Sequence, residues 1–191
     1  MKKKLLSVKP TTIDAYTKIQ NYFFDYPTKE LSLNDMCSAV KISKTNANIY
    51  VEKLIKEGFL KRQIIGKLWR ISCNQKHYYN HTRKVLYHLG LIFEAKIIEA
   101  VYEAIPNART IVLFGSYRKG DDTEKSDIDI AVEIIGGNEL KIIELDVIHQ
   151  LGYKQNVCVN LHIFSRNNIN LNLFANIANG IVLEGFLEVK P

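Results

Sequence analysis

The chain has 191 residues, 26 Lys and Arg against 20 Asp and Glu, 47% hydrophobic and 24% charged positions, with 4 Pro and 10 Gly. That composition excludes a disordered or collagen-like chain, and no apolar run reaches the roughly 18 residues of a membrane span, so no membrane partner is expected. Cys37, Cys73 and Cys158 are scattered without a CxxC, which argues against a disulfide framework or zinc site and for a reducing, cytoplasmic setting. Met1 to Pro10 reads as a solvated basic tail, its apolar stretch broken by Ser7, Lys9 and Pro10. Residues 1–75 carry 14 basic and 6 acidic side chains, net +8, whereas residues 76–191 carry 12 and 14, net −2. A basic first part suits a polyanion, because phosphate contacts release counterions. The expected division is a first domain over 1–75, a helical connector over 76–105 and a second domain over 106–191.

From Thr11 the apolar positions Ile13, Tyr16, Ile19, Phe23 and Phe24 recur three or four apart, predicting a helix that ends before Pro27. Ser32 and Asp35 form a variant capping box for a second helix reaching Val40. Lys41-Ile42-Ser43 makes a turn, and Ser43 caps a third helix from Lys44 to about Glu57, with Ala47, Val51, Leu54 and Ile55 inward and Gly58 closing it. Phe59 to Ile71 holds two β-rich runs meeting at Gly66-Lys67, a hairpin. This order, over about residues 11–73, resembles a winged helix-turn-helix domain. The resemblance implies a third helix in the DNA major groove, with Lys44, Thr45, Asn46, Asn48 and Lys53 as DNA contacts and Lys67 at the wing tip. Thr and Asn can read base edges, while Lys41, Lys44, Lys61, Arg62 and Lys67 can meet phosphates. DNA is the expected partner and a homodimer on a two-fold site the expected assembly; the alternative is a unit used only for dimerisation or for docking the rest of the chain.

His77 to Ala104 shows a helical apolar period, long enough for one helix or two with Gly90 as the break, and Pro106-Asn107 stops it. His77, His81 and His88 could bridge a metal along one helix face, but no carboxylate stands at matching spacing, so exposed histidines are expected. Ile111 to Phe114 is an apolar strand ending in Gly115-Ser116, and Ser126 to Glu133 resumes as a strand. Period two puts Asp127 and Asp129 on one face and Ile128 and Ile130 on the other. Adjacent carboxylates on one face need a counter-cation, for which a hard divalent ion is suited. Gly115 lets the backbone approach a phosphate and the Ser116 hydroxyl can donate to it. These parts suit metal-assisted phosphoryl or nucleotidyl transfer.

Gly115-Ser116, ten residues, then Asp127-Ile-Asp129 between apolar strands resembles the signature of the polymerase-β-like nucleotidyltransferase superfamily, in its small MNT-type branch, over about residues 95–187. Gly120 and Ser126 fit the pattern, and Lys119 stands where Arg is frequent. The resemblance implies an α+β chain: a winged helix-turn-helix domain followed by a nucleotidyltransferase domain with a mixed β-sheet backed by helices. It implies magnesium or manganese on Asp127 and Asp129, and a nucleoside triphosphate, ATP foremost, on Gly115, Ser116, Lys119 and Ser126. A nucleoside monophosphate would pass to a hydroxyl as pyrophosphate leaves. Active members carry a third carboxylate on a later strand. Here that strand, Asn156 to Phe164, follows a helix expected over Asn138–Leu151 and offers Asn160 and His162 as the remaining catalytic candidates. Asn lacks the charge, and His is a poor magnesium ligand though a competent base. Glu133, at even spacing from Asp129, is another substitute acid. Leu171–Asn179 reads as a helix and Gly180–Val189 as a strand bent at Gly185, both core, with Arg166 and Asn167 at the rim. Relatives of this branch often act as antitoxins, some by modifying the toxin, so a cognate toxin is an implied protein acceptor. Three functions stay open: a transferase, a DNA-binding regulator with a weakened nucleotide domain, and an enzyme to which the winged helix presents nucleic acid.

Overall fold

The computed structural model describes residues 5–10, 14–66, 68–136, 140–166 and 169–189. Helix α1 (Ala15–Asp25) opens on Asp14, whose carboxylate accepts the Thr17 N–H at 3.0 Å; Ile13 lies outside the described residues. A short strand β1 (Glu30–Leu31) leads into α2 (Leu33–Val40), where Ser32 and Asp35 form the reciprocal capping box. Lys41, in the left-handed region at φ 53, turns the chain into α3 (Lys44–Lys56), capped by Ser43. Strands β2 (Leu60–Ile65) and β3 (Leu68–Cys73) form a hairpin, and β1 joins β3 to give an antiparallel sheet of order β1-β3-β2. Lys67, expected at the wing tip, lies outside the described residues. Ile19, Phe23, Phe24, Met36, Val51, Leu54, Phe59 and Ile71 fill the core between these elements.

Within the expected solvated tail of Met1 to Pro10, the described residues 5–10 are in part buried. Leu5 and Val8 are buried against the second part of the chain. The Val8 N–H donates to the Gln150 carbonyl at 2.7 Å, and the Val8 carbonyl accepts from Gly152 at 2.8 Å. Two apolar side chains spaced by three thus outweigh the basic flank, because burying each removes apolar surface from water. The connector forms a 3-10 turn (Tyr78–His81), α4 (Arg83–Glu94) and α5 (Ile97–Ala104). Gly90 sits inside α4, and the break falls at Ala95-Lys96, where Lys96 adopts φ 60.

The second part is built on a mixed sheet of order β6-β7-β5-β4-β8, from β4 (Thr110–Phe114), β5 (Ile128–Glu133), β6 (Lys141–Leu151), β7 (Lys154–Phe164) and β8 (Ile181–Gly185). Strands β5 and β7 run parallel and the other pairs antiparallel. One face packs Ile111, Leu113, Ile128, Ile130, Val159 and Leu161 against Leu91, Ile92, Ile97 and Val101 of α4 and α5. The other carries Phe114, Ala131 and Phe164, covered at one end by α7 (Leu171–Ala178) through Leu173, Phe174 and Ile177. The helix expected over Asn138–Leu151 is instead β6, a correction; its residues 138 and 139 lie outside the described residues. Ile142, Ile143, Val147 and Ile148 are β-branched, and pairing with β7 along its length satisfies a backbone that the three- and four-residue apolar spacing would also allow to coil.

Between the two parts lies a cluster of fully buried charges. The Asp122 carboxylate meets Lys154 Nζ at 2.7 Å and Lys84 Nζ at 3.1 Å, with the His88 ring 3.4 Å away. On its other side His88 Nε2 lies 3.2 Å from Asp25 of α1. Asp25 also accepts the Tyr87 hydroxyl at 2.9 Å and the Tyr153 N–H at 2.8 Å. Burial pushes the Asp122 carboxyl up, but His88, Lys154 and Lys84 together override that and hold it well below the usual carboxylate range. Burial pulls the Lys84 ammonium down against the opposing pull of Asp122. Removing one partner leaves an uncompensated charge in the interior. Lys154→Met is therefore expected to lower unfolding free energy by about 3–5 kcal/mol in urea titration. Because the Asp122 value is depressed on folding, its contribution is present above its ordinary value of 3.8 and fades as pH falls below it. Wild-type stability should drop on acidification from pH 5 to pH 2 more steeply than that of Asp122→Asn.

Candidate active site

Strand β4 ends at Phe114, and the chain turns at once into the short α6 (Gly115–Lys119). The turn needs a glycine: φ at Gly115 is +71, and a Cβ there would sit 2.7 Å from Oδ2 of Asp129. The Gly115 backbone therefore lies directly on a carboxylate of the neighbouring strand, whose Asp129 is the register partner of Phe114. Gly120 closes α6 at φ +77 with the Asn80 carbonyl so near that any Cβ would overlap it. The loop that follows returns to β5, preceded by Asp127.

Four of the expected site residues come together on the face not covered by α4 and α5. Asp127 is exposed and Asp129 is partly buried. Asn160 Nδ2 donates to Asp127 Oδ2 at 3.3 Å, and His162 Nε2 lies 3.2 Å from Asp129 Oδ1. The His162 ring stands edge-on to Phe114 at 4.9 Å, and its buried Nδ1 has no partner among the described residues. Parallel pairing of β5 with β7 produces this meeting, since it sets Asp129 beside Asn160 and Ala131 beside His162. Ser126 is spent on the loop, its hydroxyl accepting the Thr123 N–H at 3.0 Å. Ser116 is partly exposed at the turn, and Lys119 is exposed, with its carbonyl 3.0 Å from His81 Nδ1.

Beside the turn a pocket of about 240 Å³ is lined by Phe114, Gly115, Arg118, Lys119, Leu173, Asn176 and Asn179. Arg118 and the α7 residues were not legible as site residues, since helical spacing alone made α7 core. The side-chain amides of Asn176 and Asn179 donate to carbonyls four residues back, at 3.0 and 2.8 Å. Glu133 does not join the site. It is buried at the far end of β5, paired with Arg166 at 2.8 Å and accepting the Thr110 hydroxyl at 3.2 Å. Asn167 lies outside the described residues.

The histidines of the connector diverge. His77 faces the Glu57 carbonyl, His81 the Lys119 carbonyl, and His88 is buried between two aspartates rather than exposed. Among the described residues no three His, Cys, Asp or Glu side chains already surround one point as metal ligands would. Asp127 and Asp129 nevertheless fit a hard divalent cation in chemistry: two oxygen donors of like charge, one exposed, with a backbone cradle at Gly115 that any side chain would fill. On the N-terminal unit, Lys44, Thr45, Asn46 and Asn48 lie exposed along the first turns of α3. Lys53 stands with its Nζ 4.8 Å over the Tyr16 ring.

Residues 94–176 match the family model of a nucleotidyltransferase domain, a stretch holding Gly115, Ser116, Asp127, Asp129, Asn160 and His162. The match supports the nucleotidyltransferase superfamily for this part of the chain. No curated protein sequence matches the chain. Among the described residues no helix is long and apolar enough to cross a membrane.

Gly115→Ala places a methyl group against Asp129 and forces an L-residue to positive φ, at a cost of about 1–2 kcal/mol. Its melting temperature should fall by a few degrees in thermal denaturation, and an unchanged melting temperature would contradict this geometry.

Proposed function

We propose that the chain is a nucleotidyltransferase that passes a nucleoside monophosphate from a triphosphate, ATP first among the candidates, to a hydroxyl acceptor, and that its N-terminal unit is a winged helix-turn-helix that holds DNA. The observation that carries the transferase reading is the Gly115 turn seated on Asp129, with Arg118 and Lys119 at the adjoining pocket. Asp127 and Asp129 would hold magnesium or manganese, which when bound screens the triphosphate and polarises its α-phosphate. Arg118 and Lys119 supply positive charge for the phosphates, and Ser116 a hydroxyl donor. Asn160 and His162 orient the two carboxylates through the contacts at 3.3 and 3.2 Å. His162 serves as a positioning residue, since its Nε2 faces Asp129 and its Nδ1 is buried.

A second reading, a DNA-binding regulator that senses nucleotide without turnover, is favoured by one feature. Asn160 offers an amide where a third carboxylate would add charge. The two readings separate in one assay: the purified protein with each α-labelled triphosphate and magnesium, alone and with host-cell extract. The transferase reading expects label on one acceptor, a protein such as a cognate toxin among the candidates, and at least a hundredfold loss in Asp127→Ala. Nucleotide binding without any transfer would give the protein to the regulator reading.

The DNA reading draws on the exposed Lys44, Thr45, Asn46 and Asn48 of one helix and on the net +8 of residues 1–75. Lys44→Ala with Lys67→Ala is expected to weaken DNA binding and lower the slope of log affinity against log salt by about two, one for each phosphate no longer neutralised. An unchanged slope and affinity in fluorescence anisotropy would remove DNA from the account. Such a protein would work in the cytoplasm and pair on a two-fold site.

A further inference from the structure

On the open face of the sheet, three neighbouring strands set polar side chains in one row. Asp129 of β5 is the register partner of Asn160 of β7, and Asn160 is the register partner of Glu144 of β6. Register partners point to the same face, and strands lie about 4.8 Å apart, so Glu144 stands about 10 Å from Asp129 at the backbone with a longer side chain on the same side. The pairing slips immediately after it, from Glu144 opposite Asn160 to Asp146 opposite Val159, leaving Leu145 as the extra residue. Such a bulge bends the strand and re-aims the side chains beside it.

Side-chain contacts join the row to the site. The Cys158 thiol lies 3.4 Å from Glu144 Oε2 and 3.5 Å from Asn160 Oδ1, and Asn160 Nδ2 reaches Asp127 Oδ2 at 3.3 Å. A thiol is a weak hydrogen-bond donor, so it holds the Glu144 carboxylate loosely. Glu144 itself is exposed and reaches further over the face by rotating about its own side-chain bonds.

We infer that Glu144 is the third carboxylate of this site: the negative charge that Asn160 lacks comes from the position directly opposite it, one strand further out, and joins Asp127 and Asp129 in holding the divalent cation that accompanies the triphosphate. The inference rests on the nucleotidyl-transfer reading. It adds a residue that motif spacing cannot reach, because the strand that bears it precedes the one on which the third acid is expected.

The test is Mn²⁺ binding to the full-length protein, followed by the electron paramagnetic resonance signal of the free ion, with label transfer measured in parallel. Glu144→Gln is expected to weaken Mn²⁺ binding about tenfold, since affinity for hard cations follows the charge count of the ligands, and to slow transfer by at least as much at an unchanged melting temperature. Asp127→Asn should lose more, and Glu94→Gln, on exposed α4 surface, should behave as wild type. Asn160→Asp placed in the Glu144→Gln protein should restore Mn²⁺ affinity, which a merely structural role for Glu144 would not produce. Mn²⁺ affinity unchanged in Glu144→Gln but lost in Asp127→Asn would overturn the inference and leave the transferase reading standing. Wild-type protein without saturable Mn²⁺ binding would overturn both.

Discussion

The structure depends on a group of charges that water never reaches. Asp25, Lys84, His88, Asp122 and Lys154 come from four separate stretches: α1, α4, the loop before Asp127, and the start of β7. Each is costly to bury alone, and only their meeting offsets the loss of hydration. The cluster therefore closes only when the N-terminal helices, the connector and the sheet are all in place. It also pins the loop between Gly120 and Ser126 from both sides, since Lys154 donates to the Thr123 carbonyl at 2.9 Å and Lys84 to the Asp122 carbonyl at 2.6 Å. Asp127 emerges directly from that loop.

With the loop fixed, strand alternation does the rest. Ile128 and Ile130 seal one face against α4 and α5, which leaves Asp129 on the other beside Asn160. The short α7 covers only part of that second face, packing on Phe164 and Val112. The remainder stays open beside the Gly115 turn, and its polar side chains stabilise one another through paired contacts rather than through burial. A rigid apolar floor beneath this polar surface holds its side chains in place before any ligand arrives.

Much of this architecture is legible in the amino-acid sequence. Ser32, Asp35 and Ser43 announce their helices because capping is local, needing only a hydroxyl or carboxylate and an N–H three residues on. The turn at Gly115 and the placing of Asp129 on the face opposite Ile128 and Ile130 were legible because a positive φ and period-two alternation are local properties. What stayed hidden was non-local. Strand β6 carries apolar residues at helical as well as strand spacing, and only its pairing with β7 decides between them. Lys84, His88, Asp122 and Lys154 look like surface residues in sequence, since nothing local tells a solvated lysine from a buried one with a partner elsewhere in the chain. Leu5 and Val8 were masked by the lysines around them, and Glu144 by the mistaken helix that would have carried it.

The central claim is that a triphosphate and its cation sit on the face bearing Asp127 and Asp129, beside the Gly115 turn. Adding Mn²⁺ with a non-hydrolysable triphosphate to isotope-labelled protein, and mapping paramagnetic broadening of backbone amides by nuclear magnetic resonance, tests this directly. The account predicts that Gly115, Ser116, Asp127 and Asn160 broaden first, while α3 stays sharp. Broadening centred on α3 or the N-terminal sheet, with the Gly115 turn unaffected, would contradict it.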